Sequence, residues 1–345
     1  MAAELSTLCY IEQYGKYLML HRTKKENDVN KDKWIGPGGH FEPDESPEEC
    51  LVREVFEETG MTLTDYRFRG IVTFVSGSGI TEYMHLFTAS CPLPEGAPLP
   101  ECDEGVLEWV SIEDVWDLNI WEGDKIFFRL LDENAPFFSL KLVYDGKDGL
   151  VSASLNGDPL ELFDIVDQEG NPTGVVKERG VAHRDGSRHT TVHMWIVRPN
   201  RKSGWDVLLQ RRSYHKESHP GLLDISSAGH IEHGSKPLDA ALRELHEELG
   251  IEARPEELRY FGTWDIQFDG AFNGFPYHDS ELSYEYIYDQ PVDIDSLKLQ
   301  ESEVDSVLWI DFQECLDRVR SGELENCLYE GELLLLENAL KKQQV

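Results

Sequence analysis

The sequence predicts an α/β chain of two similar units, each an α/β/α sandwich with helices on both faces of a mixed sheet. Three observations lead there. The octet REVFEETG at residues 53–60 recurs as RELHEELG at 243–250, 190 positions later. The register around the two copies holds without a gap from about residue 18 to 61, with Leu18 and Arg22 falling on Leu208 and Arg212. In the same register Gly39, His40 and Glu42 fall on Gly229, His230 and Glu232. In both copies, strand-like alternation precedes and follows a helical stretch, so a duplicated domain is the economical reading.

In chain order, STLCYIEQ and KYLMLHR predict a hairpin around Tyr14 and Gly15, which HMWIVRP and WDVLLQRR repeat with a longer turn. SPEECLVREVFEETG predicts a helix: Ser46 can cap it, Pro47 fits the first turn, Glu49 completes a capping box, and Gly60 terminates it. Further strands and a C-terminal helix follow in each half. The register then slips by ten residues, because WVSIEDV at 109–115 matches WIDFQEC at 309–315. The second half therefore carries an insertion near 265–285, where GAFNGFPYHD reads as a loop. The Gly, Ser and Asp of GKDGLVSASLNGDP place the boundary near 146–160, with a first domain over 1–152 and a second over 160–345.

Composition bounds the partners. The chain has 345 residues and a formal net charge of −34, from 66 acids against 32 bases. Such a chain repels phosphate backbones, which argues against nucleic-acid polymers and anionic membranes. Small phosphorylated ligands remain, provided a cation mediates the encounter. The six cysteines form no CxxC pair, as expected of free thiols in a reducing cytoplasm. MAAELSTLCYIEQYG has neither a basic start nor a long apolar core, and no run approaches a membrane span. A soluble, cytoplasmic protein is expected, and a homodimer is left open.

On the predicted helix Glu54, Glu57 and Glu58 stand at i, i+3 and i+4, so their carboxylates share one face while Leu51 and Val55 occupy another. Three clustered carboxylates repel one another. A hard divalent cation relieves that repulsion and prefers oxygen ligands, which points to Mg2+, with Mn2+ as the other candidate. A solvated acidic face is the competing reading, and the flanking spacing decides against it.

From Gly39 the chain runs five residues to Glu45, seven more to Arg53, then REVFEETGM. This resembles the Nudix box, G-x5-E-x7-R-E-U-x-E-E-x-G-U with U aliphatic, at every fixed position. The resemblance implies hydrolysis of a nucleoside diphosphate linked to another moiety. It implies that Glu54, Glu57 and Glu58 hold magnesium with a main-chain carbonyl near Gly38, and that Arg53 pairs with Glu45. The mechanism it implies is attack of water on phosphorus, with a carboxylate of the cluster or Glu104 orienting that water.

Residues 1–150 further resemble the MutT-type diphosphatases of oxidised purine nucleotides, through KWIGPGGHFEPDES, ECDEGVLEW, NIWEGDKIFF and PFFSLKLVYDGK. That implies 8-oxo-dGTP or a related purine triphosphate as substrate, Trp121 stacking on the base and Asp124 bonding its edge. Where some relatives have Asn after Trp34, this chain has Ile35.

The second copy keeps Gly229, Arg243, Glu244, Glu247 and Glu248, but Ser235 stands where the pattern has Glu. Ser235 is a candidate helix cap. The segment ELFDIVDQEGNPTGVVKERGVAHRDGSRHTTVHMWIV resembles the isopentenyl-diphosphate isomerase-like branch of the family, which implies a metal cluster of His183, His189, His230 and a downstream acid such as Glu281. Isomerase chemistry also needs a Cys just before the Gly-His pair, and Ala228 occupies that place. The second half therefore reads as a second hydrolase acting through Glu244, Glu247 and Glu248, or as a non-catalytic binding module.

Overall fold

In the computed structural model, residues 3–25, 28–94, 96–202, 204–216, 218–272 and 274–342 are described. They form two compact units, one of residues 1–162 with 175–181, the other of 163–174 with 182–345.

The first unit contains β1 (Glu4–Gln13), β2 (Lys16–His21), β3 (Trp34–Ile35), α1 (Pro47–Thr59), β4 (Tyr66–Val75), β5 (Thr81–Ser90), β6 (Val106–Ser111), α2 (Asp124–Asp132), β7 (Phe138–Tyr144), β8 (Leu150–Leu155) and β9 (Asp158–Pro159). One sheet runs β3-β2-β1-β5-β4-β7-β8-β9, with β6 also on β2. Parallel β1–β5 and β4–β7 pairs make it mixed. The expected hairpin is present: Gln13 pairs with Lys16, and Tyr14 and Gly15 both take positive φ, the conformation a tight two-residue turn requires. On one face Leu51 and Val55 of α1 bury against Cys9, Ile11, Leu18 and Phe87. Each such side chain contributes roughly 1.5–3 kcal/mol. On the other face α2 packs Ile126, Phe127 and Leu130 against Leu8, Tyr10 and Leu86.

The expected closing helix of this half is α2, but the chain continues into β7 and β8. The Phe138–Tyr144 stretch alternates between buried and less buried positions and joins the sheet as a strand.

β10 (Leu162–Val166), β11 (Pro172–Glu178) and α3 (Arg179–Asp185) follow. The second unit's main sheet then begins with β12 (His189–Pro199) and β13 (Trp205–Arg212), a hairpin whose turn is longer than that of β1 and β2. Next come β14 (Leu223–Asp224), β15 (Ser227–His230), α4 (Pro237–Leu249), β16 (Leu258–Phe272), β17 (Phe275–Tyr288), β18 (Val304–Asp311), α5 (Phe312–Ser321) and α6 (Glu330–Lys341). The sheet order is β14-β13-β12-β17-β16, with β15 on β12 and β18 on β13. α4 covers one face through Ala241, Leu245 and Leu249, while Leu333, Leu336 and Leu340 of α6 belong to the core on the other.

Two expectations are corrected here. GAFNGFPYHD is not a loop over its described residues, Asn273 lying outside them: β16 and β17 pair from Leu258↔Tyr288 out to Phe272↔Phe275, with one register shift between Tyr260 and Gly262. Its glycines suggested a break, but Phe268, Phe272 and Tyr277 cluster their rings along the ribbon and hold it extended. Ser235 is not the cap of α4. The N-cap is Lys236, which has no side-chain cap bond, and Pro237 opens the helix one residue later than a serine cap would need.

Candidate active sites

The first site forms where the loop from β3 to α1 lies on β1. Cys9 donates its N–H to Pro37 O (2.8 Å) and Thr7 to Gly39 O (2.9 Å), which presses the loop onto the strand. Gly38 takes φ 153°, and a Cβ there would strike the Thr7 carbonyl. Its N–H donates to Glu58 Oε2 at 2.9 Å. Glu58 is buried, and burial pushes its carboxyl up to about 7 against the lowering effect of that N–H. The Glu54 carboxylate occupies the space a Cβ on Gly39 would take, so glycine is needed there for a packing reason. Glu57 is the exposed member of the three.

Arg53 organises this face. Its Nε and Nη2 grip Glu45 at 2.6 and 2.8 Å, Nη1 reaches Glu54 at 2.7 Å and Glu57 at 3.5 Å, and Nη2 donates to His40 O at 3.0 Å. Those Arg53 bonds, with the Glu42 N–H, hold Glu45 down at about 2. Helix α1 is fixed by the full capping box of Ser46 and Glu49 and ends on Gly60 in the left-handed conformation. Glu104 lies before β6, paired with both Arg22 and Lys25.

Trp121 and Asp124 sit at the start of α2, both 4% exposed. Trp121 donates to Asn30 Oδ1 at 2.8 Å, meets Phe74 and Tyr144 edge-on, and carries Lys33 Nζ over its ring at 4.5 Å. Burial pushes the Asp124 carboxyl up to about 8, opposed by Lys33.

In the second unit the same frame recurs. Ala228 donates its N–H to Glu248 Oε2 at 3.2 Å, and burial again pushes that carboxyl up to about 7. Glu244 fills the space beside Gly229. Arg243 donates to His230 O at 3.0 Å and meets Glu244 at 3.0 Å and Glu247 at 3.3 Å. With Ser235 in place of a glutamate, its further acid is the half-exposed Glu232 at 3.4 Å.

His183, His189, His230 and Glu281 converge as the isomerase-like resemblance implies, with all their ligand atoms within 4.8 Å of one another. Glu281 Oε1 is 3.6 Å from His189 Nε2 and 3.4 Å from His230 Nε2. Burial opposes the Glu281 charge, yet His189 and His230 hold its carboxyl well below the usual range. Nδ1–H of His189 donates to the Ser187 carbonyl at 2.9 Å, so Nε2 is the nitrogen that faces the cluster. Against the effect of burial Glu281 raises this imidazole above its ordinary value, and a metal ion would take Nε2 in exchange for that proton. That Nε2 is buried without a hydrogen bond, as a metal ligand before binding would be. Phe163 stacks on both His189 and His230 at 4.6 Å and walls the cluster. Sequence reading missed Asp279, whose Oδ1 is 3.7 Å from His183 Nε2. Its signal was the strand period, which puts residues 279 and 281 on one face.

The NUDIX domain family model matches residues 4–131 and 187–326, so the chain belongs to the Nudix family in both halves. The chain is 38% identical over 157 residues to Nudix hydrolase 3 of Arabidopsis thaliana, a match covering 45% of this chain and 20% of that much longer protein. It is 28% identical over 154 residues to the oxidized purine nucleoside triphosphate hydrolase of Danio rerio, covering 45% of this chain and 95% of the relative. It is also 28% identical over 185 residues to an isopentenyl-diphosphate Delta-isomerase of Cutibacterium acnes, covering 52% of this chain and 86% of the relative. A MutT protein structure from Bacillus halodurans aligns with a TM-score of 0.39 and 28% identity, over 45% of this chain and 99% of that one. No helix among the described residues is long and apolar enough to cross a membrane.

Proposed function

We propose that the first unit is a magnesium-dependent diphosphatase that cleaves a purine nucleoside triphosphate, 8-oxo-dGTP or a close relative, to monophosphate and pyrophosphate. The observation that carries this is the seating of Glu54 and Glu58 against the Gly38–Gly39 loop, with the exposed Glu57 beside them on the same helix and Arg53, paired to Glu45, reaching Glu54 and Glu57. These three carboxylates, with a loop carbonyl near Gly38, would hold Mg2+, and Mn2+ suits the same oxygen donors. When bound, the cation polarises the diphosphate and stabilises the leaving oxygen. Arg53 keeps Glu54 and Glu57 aimed, and a carboxylate of this group or Glu104 orients the attacking water.

At the base-binding end, Asp124 keeps its proton up to about pH 8, so its carboxyl can donate as well as accept, which suits a purine with an altered donor pattern. The Trp121 face now under Lys33 is the surface a base would take by displacing the ammonium. The Danio rerio relative, an oxidized purine nucleoside triphosphate hydrolase, supports this reading.

We read the second unit as a further metal-dependent hydrolase of unidentified diphosphate substrate, with Glu244, Glu247 and Glu248 as its helix ligands. The imidazoles of His183, His189 and His230 with Glu281 would hold a second class of ion. Ala228 offers no thiol, which argues against isomerisation by proton donation from that position. The alternative, a binding module without turnover, draws on the missing glutamate partner of Arg243.

Product analysis by mass separates these readings, on a panel of 8-oxo-dGTP, dGTP and ADP-ribose with magnesium. Wild type, Glu57→Gln and Glu247→Gln are run side by side. Loss of 8-oxo-dGTP cleavage in Glu57→Gln alone assigns that reaction to the first unit. Cleavage unaffected by either change, or no purine cleavage at all, overturns the substrate assignment.

A further inference from the structure

A second group of ligating side chains lies deeper in the second unit. β12 and β17 run parallel with His193 opposite Glu285, four residues beyond the His189–Glu281 pair on each strand. That spacing separates the two groups by about 13 Å along the sheet. Glu332 of α6 closes over the deeper pair. His193 Nδ1 lies 2.9 Å from Glu332 Oε1 and 3.4 Å from Glu285 Oε1, and the three ligand atoms are all within 4.8 Å of one another. Glu285 and Glu332 are 0% and 1% exposed. Trp195 fixes both, donating Nε1–H to Glu285 Oε2 at 3.2 Å and Glu332 Oε1 at 3.0 Å.

Three features suit this group to a cation. Glu285 Oε1 is buried and makes no contact of good hydrogen-bond geometry among the described residues, with His193 Nδ1 3.4 Å away and Ser283, two residues earlier, its hydroxyl neighbour. Against the effect of burial, Glu332 and Glu285 raise the His193 imidazole to about 10, while burial and Glu332 hold the Glu285 carboxyl well above the usual range. The group thus reaches neutrality by holding two protons, and one divalent cation would take the place of both. The distances fit, since metal–ligand bonds of about 2.0–2.1 Å in a tetrahedral site put neighbouring ligand atoms roughly 3.3 Å apart.

The first unit supplies the contrast. His40 bridges Ser6 and His230 pairs with Thr191, which makes Leu8 the counterpart of His193 and Leu86 the counterpart of Glu285. Leu8 and Leu86 also pair directly across their parallel strands, as an apolar contact in the core. The sheet alone therefore requires no charge here.

We propose that His193, Glu285 and Glu332 form a structural site for a divalent first-row cation of the zinc class, which ties α6 to the β12–β17 strand pair. One nitrogen and two carboxylate oxygens suit such an ion, and the closed surroundings suit a structural role.

The test counts zinc retained by the full chain after loading and dialysis against magnesium buffer. Wild type, His183→Ala/His230→Ala and Glu285→Gln/Glu332→Gln are compared by elemental mass spectrometry. The alanine variant should keep one equivalent, and the glutamine variant should hold one fewer than wild type with unchanged circular dichroism. Equal zinc in wild type and the glutamine variant, or none in the alanine variant, overturns the site. Should the glutamine variant fail to fold, cobalt substitution of the alanine variant decides. An intense visible absorption from a four-coordinate ion supports the site, and its absence overturns it.

Discussion

Helices α1 and α4 carry the same acidic octet, and their buried glutamates do the same thing. Glu58 and Glu248 each accept a loop N–H, and burial raises each carboxyl to about 7. The two frames differ around the arginine. Arg53 is held by both oxygens of Glu45 along its Nε–Nη2 edge, whereas Arg243 leans on the half-exposed Glu232. They differ again on the far side of the sheet, where Leu8–Leu86 in one unit becomes His193–Glu285 in the other. The duplicated units thus keep the local spacing that places the helix carboxylates and diverge where strands meet over long range.

The largest effect should come from forcing one unit's sheet face onto the other. Leu86→Glu buries a carboxylate with no histidine or tryptophan to meet it, and should cost about 3–5 kcal/mol in chemical denaturation. A cost near zero would mean that this face tolerates charge in either unit, removing the contrast.

Next is the arginine clasp. Glu45→Ser should lower kcat/KM of the first site roughly ten- to a hundredfold, through misaimed Glu54 and Glu57. It is measured in a Glu247→Gln background so that only one site reports. The reciprocal Ser235→Glu should raise whatever turnover the second unit shows.

A third prediction concerns pH. The folded chain holds the Asp124 proton up to about 8, whereas an unfolded carboxyl releases it near 4. The folded state therefore binds more protons between these values, and stability falls as pH rises across that window. Asp124→Asn should flatten the slope of unfolding free energy between about pH 5 and pH 8. An unchanged slope would place its source elsewhere.

The smallest effect is in capping. Ser46→Ala should cost about 1 kcal/mol, and Lys236→Ser should recover a similar amount in α4 if its side chain finds a free N–H. Thermal melts of the two variants measure both.

Much of this was legible in the sequence because it is local. The Ser46 cap, the Gly60 terminator, the Tyr14–Gly15 turn and the glutamate face depend on residues within one or two turns of each other. The ligands His183, His189 and His230 were legible only through resemblance, since no local rule brings residue 230 to residue 183. The trio of His193, Glu285 and Glu332 was not seen. Alternation in His189-x-Thr191-x-His193-x-Trp195 marks a polar face, but its partners are fixed by a parallel register across 92 residues and by a helix 139 residues away. The β16–β17 ribbon was misread because two glycines outweighed its aromatic ladder.

The division of the chain also has a consequence for the order of events during synthesis. Val176 and Val181 belong to the same core as Leu8 and Leu140, although residues 163–174 between Leu162 and that pair belong to the other unit. A growing polypeptide emerges from the ribosome N-terminus first, and a domain generally folds once its own residues are out. Here the earlier unit must wait for residue 181, by which time the opening segment of the later one is already in solution. A gene cut at residue 160 would release a product with an unfilled gap in its interior, which favours keeping the two copies within one reading frame.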